Sequence, residues 1–372
     1  MKIMLHRLVT PLIVIVLCLS LSPVCFAAAA PVSAARVIRI PNGLTDIEEE
    51  AFYGCLSITT VVVPEGVKHI GSLAFADSTV EYLVLPASLE NIAENAFENA
   101  PIKDVIAPEG SYAETWAMRH GLLSAPASDF VYSITNGACI IQGYSGNAES
   151  VKIPALIEGY PVTTINYPAF YQNTSLTNVD IPDSVTTIGM QAFTGCSNLR
   201  TVTIPESVTN LGYYAFSGCS NLKSITMPAS QISKISSSFY GSISNVESVT
   251  ILGTMTEIPD SAFRGFQKLR VFTIPDTVSA IGNNAFYGCS SLTFVSIPDG
   301  VVSIGNNAFR ECTSLSSITI PGSVTSIGEA AFESCVVLPS ITIPDSVTAI
   351  SNYTFYGCPA LSSIRSEERR VG

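Results

Sequence analysis

A phenylalanine recurs about every 23 residues through most of this chain, each time inside the same short pattern of neighbours. Self-similarity at a fixed period of about 20–50 residues is typical of stacked supersecondary units, because one unit alone cannot bury its hydrophobic face. The pattern therefore predicts a solenoid in which each coil contacts mainly its two neighbours. The recurring phenylalanines are Phe52, Phe75, Phe97, Phe170, Phe193, Phe216, Phe239, Phe263, Phe286, Phe309, Phe332 and Phe355.

One complete unit, residues 184–205, illustrates how a coil is organised. It begins with Ser-Val-Thr-Thr-Ile-Gly, continues through Ala192-Phe193, and ends in the run Leu199–Ile204 followed by Pro205. The alternating run predicts a strand with one face inward, and proline ends that strand because it cannot donate the next ladder hydrogen bond. The glycine after the second apolar run is expected to supply a tight turn. This glycine recurs as Gly189, Gly212, Gly282, Gly305 and Gly328.

The units form two arrays, the first over residues 36–108 and the second over residues 130–364. Between them, residues 109–124 contain the only tryptophan of the chain among alanines and charged residues, which favours a short cap helix. The second array opens with a hairpin predicted around Asn136-Gly137. Its most degenerate copy, residues 230–253, predicts a local bend or bulge. The fold class is therefore a strand-dominated repeat solenoid of the α/β type.

The two ends of the sequence differ from the repeat. Residues 1–28 combine a positively charged start, a short apolar stretch and small residues, which predicts a cleaved signal peptide and a secreted or surface-held protein. The apolar stretch is shorter than the ~20 residues of a membrane span, and no second such stretch follows, so no transmembrane segment is expected in the mature chain. Residues 365–372 are dense in charge and unlike the repeat. We expect them to be a non-native tail, with the natural chain continuing beyond Ile364.

Charge and cysteine spacing narrow the possible partners and environments. Charged residues make up 13% of the chain, with 18 basic against 30 acidic residues and no basic stripe, which disfavours nucleic acid as a partner. Six cysteines occupy one repeat position, and Phe266 fills that position in another copy. A position that accepts cysteine or phenylalanine is an apolar core site, so buried free thiols are favoured over disulfides. These cysteines are Cys196, Cys219, Cys289, Cys312, Cys335 and Cys358.

Motifs for catalysis and metal binding are missing from the sequence. There is no HExxH, no CxxC pair and no cluster of His, Cys and Asp at ligand spacing, so neither a metal nor a cofactor is expected. The nucleophile elbow and the phosphate loop are also absent, and the repeat cysteines have no nearby histidine. The sequence therefore predicts that the protein is not an enzyme.

The units resemble the leucine-rich repeats of BspA-like bacterial surface proteins and of treponemal leucine-rich repeat proteins. The resemblance rests on Leu-x-x-Val/Ile-x-Ile-Pro, Ser-Val-Thr-x-Ile-Gly, Ala-Phe and Gly-Cys, and it covers nearly all of residues 36–364. It implies a curved stack with parallel strands on its concave face. It also implies an adhesin-like protein that binds a host matrix or plasma protein, or another cell.

Outward-facing strand residues are the candidates for ligand binding. The first array carries an apolar stripe beside one tyrosine, for which self-association or a contact between the arrays is the alternative role. The second array presents columns of Thr and Ser interrupted by apolar residues, and its alternative is a solvated face on which Thr is simply a good strand former. The candidate residues are Val62, Tyr82, Val84 and Ile106 in the first array, and Arg200, Lys223, Arg270 and Phe294 in the second.

Two functions remain open at this stage. The first is a non-enzymatic, exported protein of the bacterial cell surface that binds a protein ligand. The second is a structural spacer that presents a C-terminal domain lying beyond Ile364 in the intact gene. An anchor or catalytic domain in the continued reading frame would favour the spacer.

Overall fold

The computed structural model describes residues 37–366, which divide into two compact units, one ending at Ser124 and the other beginning at Ala125. The predicted signal peptide, residues 1–28, lies outside the described residues, as do residues 367–372 of the predicted tail. Arg365 belongs to the strand Ser363–Ser366. Both units are built from short parallel strands stacked coil upon coil. The predicted fold class, a strand-dominated repeat solenoid, is confirmed.

Residues 37–124, the described part of the first unit, form two parallel sheets and one helix. One sheet consists of Val37–Arg39, Thr60–Val62, Tyr82–Val84 and Asp104–Ile106, and the other of Asp46–Ile47, His69–Ile70 and Asn91–Ile92. The helix Tyr112–Arg119 begins after Ser111, whose hydroxyl accepts a hydrogen bond from the Glu114 backbone N–H. Trp116 on this helix packs against Phe97 with a ring separation of 5.6 Å. The helix thus lies at the end of the phenylalanine column of this unit.

The second unit repeats the arrangement over more coils. One column of strands begins with a five-stranded sheet: Ser150–Lys152, Asn178–Asp180, Thr201–Thr203, Ser224–Pro228 and Ser248–Leu252. It continues with the pairs Phe294–Ser296 with Ser317–Thr319 and Ser340–Ile343 with Ser363–Ser366. Its second column of strands is Phe130–Thr135, Ala138–Tyr144, Leu156–Ile157, Tyr160–Ile165, Thr187–Ile188 and Asn210–Leu211, then Glu257–Ile258, Ala280–Ile281, Ser303–Ile304 and Ser326–Ile327. Phe130–Thr135 and Ala138–Tyr144 pair antiparallel around Asn136-Gly137, where both residues have positive φ.

One coil of the second unit departs from this pattern. Between the strands Ser224–Pro228 and Ser248–Leu252, the chain forms a 3₁₀ helix over Ala229–Lys234 and a short α-helix over Ile235–Ser238, and a further 3₁₀ turn lies at Ile243–Asn245. The sequence predicted a bend or bulge at residues 230–253; the structure has helical turns there instead. A third 3₁₀ helix, Ala127–Asp129, precedes the hairpin.

The recurring phenylalanines form columns of parallel rings inside each unit. In the second unit, Phe193 stacks on Phe216 at 4.9 Å and Phe216 on Phe239 at 4.8 Å, with interplanar angles of 5° and 9°. A further run continues from Phe263 through Phe355 at separations of 5.1–5.8 Å. Phe193, Phe216 and Phe239 are completely buried. Because successive rings within each run contact one another, the runs hold neighbouring coils together.

The repeated cysteines are free thiols with a specific contact. The Cys312 thiol donates to the carbonyl of Phe286 at 3.2 Å, and Cys196, Cys219, Cys289, Cys335 and Cys358 each reach the equivalent phenylalanine carbonyl of the preceding coil. In the irregular coil Ser242 makes the same contact to Phe216 at 2.8 Å. The position therefore selects a small hydrogen-bond donor as well as an apolar group.

Five of these six thiols, all except that of Cys358, are fully buried, and we expect burial to slow their reactions in the folded protein. Desolvation raises the pKa of the Cys196 thiol to about 12 and that of Cys289 further still. Because the thiolate is the reactive form, we expect iodoacetamide to alkylate Cys289, Cys312 and Cys335 at least about tenfold more slowly in folded than in unfolded protein. Half-buried Cys358 should react faster than these three and serves as the internal control. Mass spectrometry showing crosslinks between successive repeat cysteines in natively prepared protein would contradict this expectation.

Candidate functional site

The first candidate surface is called the first strand face. It is formed by the outward side chains of the four-stranded sheet of the first unit. Val62, Val84 and Ile106 are register partners in neighbouring strands, and Tyr82 lies in the adjacent column. The residue between two outward positions of a strand is buried, as Leu83 is between Tyr82 and Val84. The predicted alternation of inward and outward positions therefore holds here. The four candidate side chains are thus contiguous.

These four residues are half-buried rather than open to solvent. Neighbouring strands lie about 4.8 Å apart, so register-matched side chains cover part of one another. Two further outward positions are buried, Thr60 and Asp104. Asp104 accepts a hydrogen bond from the Ser124 hydroxyl, whereas the Thr60 hydroxyl has no hydrogen-bond partner among residues 37–366. The apolar stripe is therefore narrower and less exposed than the sequence suggests.

The second candidate surface, the second strand face, contains the three predicted basic residues, Arg200, Lys223 and Arg270, at equivalent positions of three of its coils. Arg200 and Lys223 are neighbours, since the Lys223 backbone N–H donates to the Arg200 carbonyl at 2.8 Å. The next coil places Glu247 between Lys223 and Arg270, and Glu247 forms an ion pair with Lys223 at 2.9 Å. This pairing lowers the pKa of the Glu247 carboxyl, chiefly through the hydrogen bond from Lys223. The basic column is consequently interrupted by a carboxylate that the sequence argument did not include.

Val271 and Phe294 form the exposed apolar part of the second strand face. The two residues are bridged in parallel register in adjacent coils, and their side chains are 59% and 45% exposed. Arg270 precedes Val271 directly and is also exposed. The surrounding positions are hydroxyl-bearing, and Ser248 donates to Ser224 at 3.0 Å along the same column. An apolar pair beside a guanidinium thus lies among hydroxyl-bearing residues of this face.

The described residues offer little for covalent or metal chemistry. Residues 37–366 contain no group of three or more His, Cys, Asp or Glu side chains that could hold a metal ion. Thiols whose pKa is raised by burial, as in Cys196, remain protonated near neutral pH and are poor nucleophiles.

Sequence reasoning missed a set of exposed tyrosines beside the repeated Ala-Phe pairs. Tyr213, Tyr240, Tyr353 and Tyr356 are each more than half exposed. Tyr240 and Tyr356 directly follow the repeated phenylalanine of their coils, whereas Tyr213 and Tyr353 lie three and two residues before it, all outside the strands. The signal was present in the sequence, since most residues at these repeat positions are polar and a tyrosine there has no core to fill.

Stacked coils with parallel strands on one side and a buried phenylalanine column define the leucine-rich repeat class of solenoid. The family model described as BspA type leucine rich repeat region matches the chain in six copies, over residues 23–116, 163–293 and 279–370. This chain belongs to the BspA-type leucine-rich repeat family. None of the curated proteins matches it.

Solved structures similar to this chain come from several bacteria. A leucine-rich repeat protein from Bacteroides ovatus ATCC 8483 is 27% identical, covering 89% of this chain and 83% of that chain, with a TM-score of 0.49. A leucine rich cell surface protein from Faecalibacterium prausnitzii A2-165 is also 27% identical, covering 91% and 89%, with a TM-score of 0.38. The T. pallidum leucine rich repeat protein is 24% identical, covering 66% and 83%, with a TM-score of 0.28. Within residues 37–366 of this chain, every helix is too short or too polar to cross a membrane.

Proposed function

We propose that this protein is exported, that it is not an enzyme, and that it binds a protein ligand at the bacterial cell surface through its strand faces. The observation that carries the proposal is the exposed pair Val271 and Phe294 beside Arg270. Exposed apolar groups rimmed by polar residues mark interaction sites, and aromatic and arginine side chains dominate the energetics of protein interfaces. A host matrix protein, a plasma protein or a protein of another cell is the ligand class that this surface would serve.

The two strand faces would contribute differently to such an interface. The second strand face supplies an aromatic anchor, Phe294, on a scaffold that is ordered before binding, which lowers the entropic cost of association. Arg200 and Arg270 lie on either side of the Lys223–Glu247 ion pair. The first strand face supplies the half-buried stripe with Tyr82, which adds apolar area where a partner reaches it.

Binding to an immobilised panel of matrix and plasma proteins tests this proposal. We expect the double variant Val271→Ser with Phe294→Ser to lower the binding free energy of the captured partner by at least about 2 kcal/mol, because interface hot spots centre on buried aromatic anchors. Tyr82→Ala with Val84→Ser, made in parallel, reports whether the first strand face contributes a similar loss. Thr203→Ala is the matched control, since this exposed hydroxyl lies on a strand of an earlier coil and is easily rehydrated.

Circular dichroism and thermal unfolding establish that the variants remain folded, which is expected because the replaced side chains point away from the core. Unchanged affinity of both folded double variants for the partner would show that the strand faces do not form the interface. If no member of the panel binds at all, the spacer interpretation becomes the better account of the protein.

A further inference from the structure

Basic side chains are concentrated on one part of the second strand face. Five successive coils contribute equivalent segments to it, each running from two residues before the inward leucine or valine to four residues after it: 197–203, 220–226, 244–250, 267–273 and 290–296. Their charged side chains are four basic, Arg200, Lys223, Lys268 and Arg270, and one acidic, Glu247. Because the whole chain has a formal net charge of −12, this basic cluster is a local region of the opposite sign.

The charges of the basic cluster lie on neighbouring coils. The Lys223 backbone N–H donates to the Arg200 carbonyl, and the Glu247 backbone N–H donates to the Lys223 carbonyl, both at 2.8 Å. The pKa of the Glu247 carboxyl is lowered chiefly by its hydrogen bond from Lys223, and also by the nearby charges of Lys268 and Arg270 on the next coil. The cluster therefore crosses four coils, a span of about 14 Å at a strand separation of about 4.8 Å.

Most of this positive charge is not neutralised within the chain. All four basic residues are exposed, and Lys223 is paired with Glu247 at 2.9 Å. Arg200, Lys268 and Arg270 form no ion pair with any residue of 37–366. The other outward positions of the five segments carry uncharged side chains. A surface of this kind attracts and orients a partner of opposite charge.

The neighbouring apolar pair favours a peptide over other polyanions. Arg270 directly precedes Val271, and Val271 is bridged to Phe294; these two side chains are 59% and 45% exposed. A sulfated polysaccharide would leave both without an apolar partner, whereas a peptide carries acidic and apolar side chains on one chain. Side chains on one face of an extended peptide repeat about every 6.8 Å, so carboxylates four residues apart match the span of about 14 Å.

We propose that the partner of the second strand face is an acidic, extended protein segment that lies across the coils. Its carboxylates pair with Arg200 and with Lys268 and Arg270, and an apolar side chain next to them packs on Val271 and Phe294. This inference rests on the proposed function, because it names the chemistry of the protein ligand that this face would bind.

Titration of the full chain with a synthetic peptide, followed by NMR or fluorescence anisotropy, tests the proposal. The probe is a short glycine–serine peptide with three glutamates at alternate positions followed by one phenylalanine. We expect saturable binding that weakens at least about fivefold between about 50 and about 300 mM sodium chloride, because salt screens exposed charges. Peptides with glutamine in place of glutamate, or with serine in place of phenylalanine, should each bind several-fold more weakly.

Three variants of the chain localise the binding. Arg200→Gln with Arg270→Gln should weaken the acidic peptide at least about fivefold, whereas Glu247→Gln should strengthen it about twofold, since it removes a like charge and releases Lys223. Lys234→Gln with Arg264→Gln is the matched control. It changes the net charge by the same amount, but both side chains lie over tyrosine rings outside the five segments, so binding should stay unchanged.

Several results would overturn the proposal: no saturable binding, equal binding of the glutamine peptide, an equal loss in the control pair, or weaker binding by Glu247→Gln. Equally tight binding of heparin or of the peptide without phenylalanine would show a surface for polyanions in general, which also overturns it. A panel protein whose affinity falls with Val271→Ser and Phe294→Ser, but not with Arg200→Gln and Arg270→Gln, would leave the proposed function standing and exclude an acidic partner segment.

Discussion

Replacing Phe216 by alanine is expected to lower the free energy of unfolding by about 3–5 kcal/mol, the range for truncating a buried aromatic side chain. Phe216 is completely buried, and its ring lies between those of Phe193 and Phe239 at 4.9 and 4.8 Å. Truncation removes two ring contacts and leaves a cavity that neighbouring coils cannot fill without shifting. Chemical denaturation monitored by circular dichroism measures the loss.

Tyr213→Ala is the matched control for this substitution. Tyr213 lies three residues before Phe216 in the same coil, and its side chain is 60% exposed. Its removal should therefore cost less than about 1 kcal/mol, as surface substitutions do. A similarly small loss for Phe216→Ala would show that the phenylalanine column does not hold the stack together.

Gly212→Ala is expected to destabilise the protein by about 3 kcal/mol or more, at or above the upper end of the range for overpacking. A Cβ atom at this glycine would lie 2.4 Å from the Met190 backbone nitrogen and 2.5 Å from the Gly189 carbonyl carbon. Backbone atoms cannot rotate away as side chains do, so the two coils would have to separate. Thermal and chemical denaturation of the variant measure the effect.

Gly288→Ala is the control that separates the steric clash between coils from the cost of placing a non-glycine residue in the left-handed conformation. Gly288 has a positive φ of 72°, and a Cβ atom there would meet nothing closer than 3.9 Å. The expected cost is about 1–2 kcal/mol, from the left-handed conformation alone. If Gly212→Ala costs no more than Gly288→Ala, the close approach of the coils does not explain the glycine.

The repeated glycines have a different role from the tight turn that the sequence suggests. The sequence suggested that Gly189, Gly212 and their equivalents supply a tight turn, but they are not among the glycines with positive φ. The left-handed turn positions are instead taken by other residues, including Gly288 and Tyr353. Gly212 is required because the backbone of the preceding coil lies against its Cα. A sequence pattern identifies a glycine, but not which of these two constraints selects it.

The sequence by itself determined the features that depend on local periodicity. The recurrence of phenylalanine and the alternation within each strand identified the solenoid, its family and its core residues, such as Phe193 and Leu199, which are buried as expected. These features follow from sequence because strand alternation has a period of two and the coil repeats the same contacts at every step.

Only the tertiary structure decided what depends on contacts between coils. Three such features involve residues of different coils. They are the mutual covering that leaves Val62 and Val84 half-buried, the ion pair of Lys223 with Glu247, and the contact of the Cys312 thiol with the Phe286 carbonyl. The physical reason is that register and spacing between coils place side chains within a few ångströms of each other, whereas periodicity specifies only the side of the coil on which each one lies.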